Sequence, residues 1–133
     1  MILVDTSAWV EYDRATGSAV HHILRDTIAD GGTSLASTDP VLMEVLAGAR
    51  DERRASDLRR LLTSFAWVRA DPVADFEGAA KLYRQCRSRG LTPRGLIDCM
   101  IATIAMRTRV QLLAADRDFD RMARIVPLQV VAW

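Results

Sequence analysis

The sequence predicts an α/β fold, with three α/β/α layers around a mostly parallel central sheet. Short apolar segments rich in branched residues, beginning with Ile2–Val4, recur along the chain and are typical of strands buried on both faces. Longer segments with apolar residues at helical spacing separate them, which is the pattern of βαβ units. With 133 residues, half of them hydrophobic, the chain suits one core, so we expect one domain over residues 1–133.

Helix and turn signals place the elements of the first half. Ser7 carries a hydroxyl that can cap a short helix. A pair of glycines, Gly31 and Gly32, ends a second helix, and Pro40 suits the first position of a third. The expected elements are strands at 2–4 and 35–37, and helices at 7–13, 20–28, 39–49 and 51–65.

The second half continues the alternation. Pro72 opens a long helix that carries Phe76, Ala79, Leu82 and Tyr83, and Gly90 stops it. The expected elements are strands at 66–68, 111–114 and 128–131, helices at 72–89 and 95–106, and a helical turn at 119–122. The last of these strands is the fifth of the sheet.

The composition gives no general attraction to nucleic acid, because the formal net charge is only +1. All basic residues except Lys81 are Arg, whose planar guanidinium suits phosphate binding, although GC-rich codon usage produces the same bias. No apolar run reaches the length of a membrane span, and Met1 leads directly into the first strand. We therefore expect a cytoplasmic protein with no membrane contact and with reduced thiols at Cys86 and Cys99.

Four acidic residues stand in apolar surroundings and give the clearest functional signal. Asp5 ends the first strand and Asp116 follows the fourth, while Glu44 and Asp98 are the only charges in two otherwise apolar helical stretches. Ligands of open α/β sheets bind beyond the carboxyl ends of the strands. Ionised acids are rarely buried without a partner, and the neighbouring segments offer no matching cations.

A divalent cation would satisfy all four acids at once. Mg²⁺ and Mn²⁺ prefer carboxylate and water ligands. We therefore predict a catalytic metal site formed by Asp5, Glu44, Asp98 and Asp116, where the cation activates water and stabilises charge on a phosphoryl oxygen. Salt bridges, helix caps or solvent-facing helix positions are the alternative explanations for these acids.

Five further residues flank the predicted metal site. Asp118 is a candidate auxiliary ligand, with a solvated turn residue as the alternative. Thr6 and Ser7 can orient a ligating carboxylate, although either can equally cap the first helix. Arg94 and Arg117 lie near proposed ligands in sequence and are candidates for binding the phosphates of a nucleic acid such as RNA, if the site acts on one. Few aromatic residues are expected at the surface to stack on bases.

The ordered motifs resemble those of PIN-domain ribonucleases, specifically the VapC-type toxins of bacterial toxin–antitoxin pairs. The matching pieces are Val-Asp-Thr-Ser at 4–7, Glu44 in its apolar helix, Gly-Leu-Ile-Asp-Cys-Met-Ile-Ala at 95–102 and Leu-Leu-Ala-Ala-Asp-Arg-Asp-Phe at 112–119. Together they span nearly the whole chain in the order of the family. The chain departs from many relatives at Ala114, where they carry a Thr.

The resemblance implies a PIN-like three-layer fold with strand order 3-2-1-4-5. It assigns Asp5, Glu44, Asp98 and Asp116 to the acidic metal site, with Asp118 close by. It also implies cleavage of RNA that depends on Mg²⁺ or Mn²⁺, a homodimer, and inhibition by a VapB-type antitoxin in a heterotetramer or larger complex. The apolar residues Met43, Val45 and Leu46 can form a groove for a helix of that partner.

Two other classes of protein also have acidic pockets. Phosphorelay receivers and aspartyl-phosphate phosphatases usually need a Lys near the pocket, and the phosphatases an Asp-x-Asp on the first strand. Asp5 is instead followed by Thr6 and Ser7, and Lys81 lies in the middle of a helix. A catalytically silent binding module, whose acids capture basic residues of a partner, is the third alternative.

Overall fold

The computed structural model describes residues 1–133 as a parallel sheet flanked by helices. Every predicted helix is present, with bounds that differ by a few residues at the ends. The elements in chain order are β1 (Ile2–Val4), α1 (Thr6–Asp13), α2 (Ala19–Ala29), β2 (Leu35–Thr38), α3 (Asp39–Ala47), α4 (Glu52–Thr63), β3 (Ala66–Val68), α5 (Ala74–Ser88), α6 (Leu96–Thr108), β4 (Gln111–Leu113) and α7 (Asp118–Met122).

The sheet has four parallel strands in the order β3-β2-β1-β4. Leu3 of β1 pairs with Ala36 on one side and with Leu112 on the other. Its side chain is fully buried, as the apolar run predicts. Parallel strands end at the same edge, so the residue after β1 meets the end of β4: the Asp5 amide donates to the Leu113 carbonyl at 2.9 Å.

The segment 128–131 lies beside β4 but does not form the predicted fifth strand. Val130 makes one isolated parallel bridge with Leu112. Two hydrogen bonds hold the segment, from the Leu112 amide to the Gln129 carbonyl at 2.8 Å and from the Val131 amide to the Leu112 carbonyl at 2.9 Å. Beyond this segment the Trp133 indole donates to the carbonyl of Ala114, the residue after β4, at 2.8 Å.

Helix α5 buries an acid where the sequence suggested an aromatic residue. Phe76 is 55% exposed, whereas its neighbour Asp75 is fully buried. The Arg107 Nε and Nη2 atoms donate to the two Asp75 oxygens, each at 2.8 Å. Successive helical residues point about 100° apart, so the orientation that pairs Asp75 with α6 turns Phe76 outward.

No helix is both long and apolar enough to cross a bilayer. Cys86 and Cys99, in α5 and α6, are free and buried, as expected. Burial raises the pKa of the Cys99 thiol to about 12. Neither thiol is therefore activated as a nucleophile.

Candidate metal centre

Asp5 lies at the centre of the acidic crevice and has one oxygen without a partner. Its side chain is nearly buried, and its Oδ2 accepts hydrogen bonds from the Ser7 amide at 2.9 Å and the Ser7 hydroxyl at 2.6 Å. The other oxygen, Oδ1, is buried and unpaired. Burial raises the pKa of Asp5 to about 6, the Ser7 hydrogen bonds oppose that rise, and the Glu44 charge adds to it. A buried unpaired carboxylate oxygen is costly unless a ligand satisfies it.

Ser7 joins the two strand ends that carry Asp5 and Asp116. Its hydroxyl donates to Asp5 and accepts from the Ala115 amide at 2.9 Å and the Asp116 amide at 3.3 Å. The expectation that Ser7 caps the first helix is wrong, because α1 begins at Thr6 and Asp5 is its N-cap residue. An acid at the cap position leaves the Ser7 hydroxyl free to connect the loops instead.

Glu44 reaches the crevice from α3, where it is half-buried. The Thr6 hydroxyl donates to Glu44 Oε1 at 2.7 Å. This bond orients a carboxylate from the third helix toward the end of the first strand. Thr6 and Ser7 therefore both hold carboxylates, as one of the two sequence hypotheses had it.

Asp98 faces the other acids from the first turn of α6. Its pKa is raised to about 7, first by burial and then by the charges of Asp5, Asp116, Glu44 and Asp118. The ion pairs of the protein include none to Asp5, Glu44 or Asp98. Salt bridges therefore do not explain these three acids.

Asp116 and Asp118 lie at the edge of the crevice and are partly neutralised. The Asp118 amide donates to Asp116 Oδ1 at 2.9 Å. Arg121 pairs with Asp118, while Arg94 lies 3.7 Å from an oxygen of each acid with a side chain that is 77% exposed. Because Asp118 already has a cationic partner, it suits an auxiliary role rather than a central one.

One open crevice brings together the four predicted ligands, lined by Asp5, Thr6, Ser7, Glu44, Arg94, Asp98 and Asp116. In the present side-chain conformations, no three acids are placed closely enough to coordinate one metal ion together. Mg²⁺ usually keeps several of its waters when it binds a protein, so its site does not need three carboxylates already within direct coordination distance. The unpaired Asp5 oxygen and the all-oxygen donor set fit a hydrated Mg²⁺ or Mn²⁺ ion.

An apolar cavity adjoins the crevice between α1, α3 and α4. It shares Thr6 and Glu44 with the crevice and is otherwise lined mainly by Trp9, Val10, Val45, Leu58, Leu61 and Leu62. Of the three residues expected to form a groove, Val45 lines this cavity, Met43 is exposed and Leu46 packs against the core.

Sequence reasoning missed Arg121 and Trp133. Arg121 stands three residues after Asp118, a spacing that brings side chains together on a helix and was the available signal. Trp133 is 39% exposed and lies beside the Asp116 loop, as one of the few aromatic residues at the surface. No local pattern reveals that contact, because its partners lie about 20 residues earlier in the chain.

Lys81 does not reach the acids. It is exposed on α5 and does not line the crevice. The crevice therefore lacks the lysine that a phosphorelay receiver or an aspartyl-phosphate phosphatase would need.

Comparison with known proteins gives a consistent picture. The family model described as PIN domain matches residues 2–125. Ribonuclease VapC11 of Mycobacterium tuberculosis is 41% identical over 133 residues, covering 100% of this chain and 99% of that protein. The fold is similar to the structure of VapBC2 from Rickettsia felis bound to a promoter DNA fragment, with a TM-score of 0.76, 20% identity, and coverage of 100% and 99%. It is also similar to a toxin–antitoxin complex from Klebsiella pneumoniae, with a TM-score of 0.68, 20% identity, and coverage of 99% and 97%.

Proposed function

The chain belongs to the PIN domain family and, within it, to the VapC ribonucleases. On that premise we propose that it is the endoribonuclease toxin of a type II toxin–antitoxin pair. The reaction is hydrolysis of RNA phosphodiester bonds. The observation that carries the proposal is the unpaired, buried Asp5 oxygen in a crevice lined by three other carboxylates. An all-carboxylate lining of this kind suits a divalent cation such as Mg²⁺ or Mn²⁺.

Asp5, Glu44, Asp98 and Asp116 would hold Mg²⁺ or Mn²⁺, and Asp118 would assist. When bound, such a cation activates water and neutralises charge on the phosphoryl oxygens. Ser7 fixes the orientation of Asp5 and the position of the Asp116 backbone, and Thr6 fixes Glu44. Arg94, exposed at the rim, can leave its long contacts with the acids to meet a phosphate.

Water, rather than a side chain, serves as the nucleophile. The Ser7 hydroxyl is the best-placed alternative, but its oxygen already accepts hydrogen bonds from the Ala115 and Asp116 amides, which occupy the lone pairs that a nucleophile needs. The two cysteines are buried in other parts of the core. No covalent intermediate with the protein therefore forms.

The partner we propose is a small VapB-type antitoxin, acting on a homodimer to give a heterotetramer or a larger complex. An apolar segment of the antitoxin would fill the cavity between α1, α3 and α4. That cavity opens beside Glu44, so a basic side chain on the same segment can enter the acidic crevice and oppose cation binding.

The test is incubation of purified protein with RNA in Mg²⁺, in Mn²⁺ and in excess EDTA. We expect cleavage in either metal and none in EDTA, with Asp5→Asn inactive throughout. Asp26→Asn, at an exposed acid on α2, is the matched control and should retain activity. Full activity in EDTA would exclude the metal mechanism, and no cleavage in any condition would favour the silent binding module.

A further inference from the structure

A second cavity continues from the acidic crevice and differs from it in charge. The two cavities share Ser7, Arg94 and Asp116 as walls. Beyond them the second cavity adds two arginines, Arg117 and Arg121, together with the acids Glu11 and Asp118. An RNA strand with one phosphate in the acidic crevice must leave the crevice along one of the open sides of the crevice. The side that leads into the second cavity offers guanidinium groups to the neighbouring phosphates.

Arg117 is the guanidinium of this cavity with the weakest acidic competition. Arg121 is paired with the nearly buried Asp118, and Arg94 lies between two acids. The one carboxylate near Arg117 is Asp120, 3.3 Å away, with a side chain that is 41% exposed. A pair so open to solvent is weak and readily exchanged for another anion.

Trp133 holds the Arg117 side chain in place. The guanidinium carbon of Arg117 lies 4.0 Å from the centre of the indole ring, which is stacking distance. The ring is fixed by its Nε1–H bond to the Ala114 carbonyl at 2.8 Å. Stacking engages one face of the guanidinium and leaves its N–H groups available in the plane, so less entropy is lost when they bind an anion.

We propose that Arg117, positioned by Trp133, binds an RNA phosphate adjacent to the one that is cleaved. The inference rests on the proposed function and adds a subsite to it. Trp133 acts through Arg117 and is a positioning residue. An acidic segment of a protein partner is the competing occupant. The RNA strand is favoured because the cavity that contains Arg117 is directly continuous with the acidic crevice.

The experiment compares Arg117→Ala and Trp133→Ala in cleavage of short single-stranded RNA of random sequence with Mn²⁺. A contact made equally in the ground and transition states changes KM rather than kcat, so we expect KM to rise about tenfold in both variants. The slope of log(1/KM) against log salt concentration should become shallower by about 0.7, as for one lost phosphate contact on a single strand. The double variant should be no worse than either single one, because both remove the same contact.

Two matched controls separate the stacked pair from general effects. Trp133→Phe keeps a ring under Arg117 but loses the bond to the Ala114 carbonyl that fixes the ring, and we expect a KM between those of the wild type and Trp133→Ala. Arg87→Ala removes an arginine that similarly lies over Tyr83, on α5 and away from the crevice, and should change nothing. The Mn²⁺-induced rise in melting temperature should persist in every variant, which shows that the fold and the acidic crevice are intact.

Four outcomes would overturn the inference. The first is that Arg117→Ala matches Arg87→Ala in KM and in salt slope. The second is that Trp133→Phe raises KM as much as Trp133→Ala, which would assign Trp133 to holding the Asp116 loop. A loss of the Mn²⁺-induced rise in Arg117→Ala would make Arg117 a structural residue. If Arg117→Ala and Trp133→Ala bind RNA as the wild type does but bind the antitoxin more weakly, the surface formed by Arg117 and Trp133 belongs to the antitoxin. If the proposed function itself is wrong, the wild type cleaves no RNA. The subsite is then tested by comparing how the wild type and Arg117→Ala bind the same RNA, measured by fluorescence anisotropy.

Discussion

At the scale of single residues, the acidic crevice stores unfavourable charge in the metal-free protein. Burial is the largest cause of the raised pKa values of Asp5 and Asp98, and neighbouring carboxylates add to both. The protein holds these groups where each would be more stable protonated or bound to a cation. The same arrangement that makes the site receptive to metal therefore costs stability without it.

Replacing Asp98 by Asn removes one of these charges and keeps the shape of the side chain. We expect Asp98→Asn to unfold at a higher temperature than the wild type in EDTA at neutral pH. Its free energy of unfolding should be larger by on the order of 1 kcal/mol. Thermal unfolding with and without Mn²⁺ measures this, and the metal should stabilise the wild type more than the variant. RNA cleavage should be lost. A lower melting temperature in EDTA, with full stabilisation by Mg²⁺, would make Asp98 a structural hydrogen-bonding residue.

The pH dependence of stability follows from the same two pKa values. Asp5 and Asp98 have folded pKa values of about 6 and about 7, above the ordinary value of 3.8, so the folded state binds their protons more tightly than the unfolded state. Their contribution to stability is complete below the ordinary value and is lost as the pH rises through 6 and 7. Denaturant unfolding in EDTA should show stability falling across this range, less steeply in Asp98→Asn. If the free energy of unfolding falls equally steeply with pH in the wild type and in Asp98→Asn, the raised pKa does not belong to Asp98.

At the scale of elements, helices α5 and α6 approach closely because Gly78 has no side chain. A Cβ atom at Gly78 would lie 2.6 Å from Thr103 Cγ2. Thr103 cannot turn away freely, because its hydroxyl donates to the Cys99 carbonyl at 2.7 Å and its χ1 angle is restricted in a helix. The contact matters for function, since α6 carries Asp98.

Gly78→Ala should therefore destabilise the protein by about 1 kcal/mol, because overpacking outweighs the gain in helix propensity. Adding Thr103→Ser removes the clashing methyl group and should restore most of the loss. Gly48→Ala is the matched control, since its Cβ would meet atoms no closer than 3.6 Å. Urea unfolding of the three variants gives the comparison, and a stabilised Gly78→Ala would show that the helices separate without cost.

The sequence predicts these elements well where the signal is local. Helical spacing and glycine stops located the helices, and the isolated charges of Glu44 and Asp98 identified two of the acids that line the crevice. Ser7 and the segment 128–131 were predicted less well, because capping and strand pairing there depend on residues far away. The hydroxyl of Ser7 meets the Asp116 loop, and the segment 128–131 makes only one bridge to β4, between Val130 and Leu112.

At the scale of the whole molecule, association should compete with cation binding. An antitoxin that places a basic group in the crevice must weaken Mn²⁺ binding, and by linkage Mn²⁺ must weaken the antitoxin by the same factor. Calorimetric titration of Mn²⁺ with and without the product of a neighbouring small reading frame measures this. Equal Mn²⁺ affinity in both titrations would place the antitoxin outside the crevice.

The same partner should be sensitive to the exposed apolar residue of α3. Met43→Glu leaves the core intact, since the side chain is 53% exposed, and should weaken the antitoxin complex or the homodimer. Val73→Glu, at an exposed apolar residue beside α5, is the control and should have no effect. Sedimentation velocity reports both associations, and a monomer that binds no antitoxin would contradict the proposed assembly.

The Ser7 hydroxyl links residues 108 positions apart, and this separation has a consequence during synthesis on the ribosome. β1 is made first, yet it lies between β2 and β4, so it has its second neighbour only once residues 111–113 have been synthesised. Asp98 and Asp116 are likewise made long after Asp5. A nascent chain that lacks Asp98 and Asp116 therefore has no complete acidic crevice, so the proposed metal site can assemble only after both of the segments that Ser7 links have been synthesised.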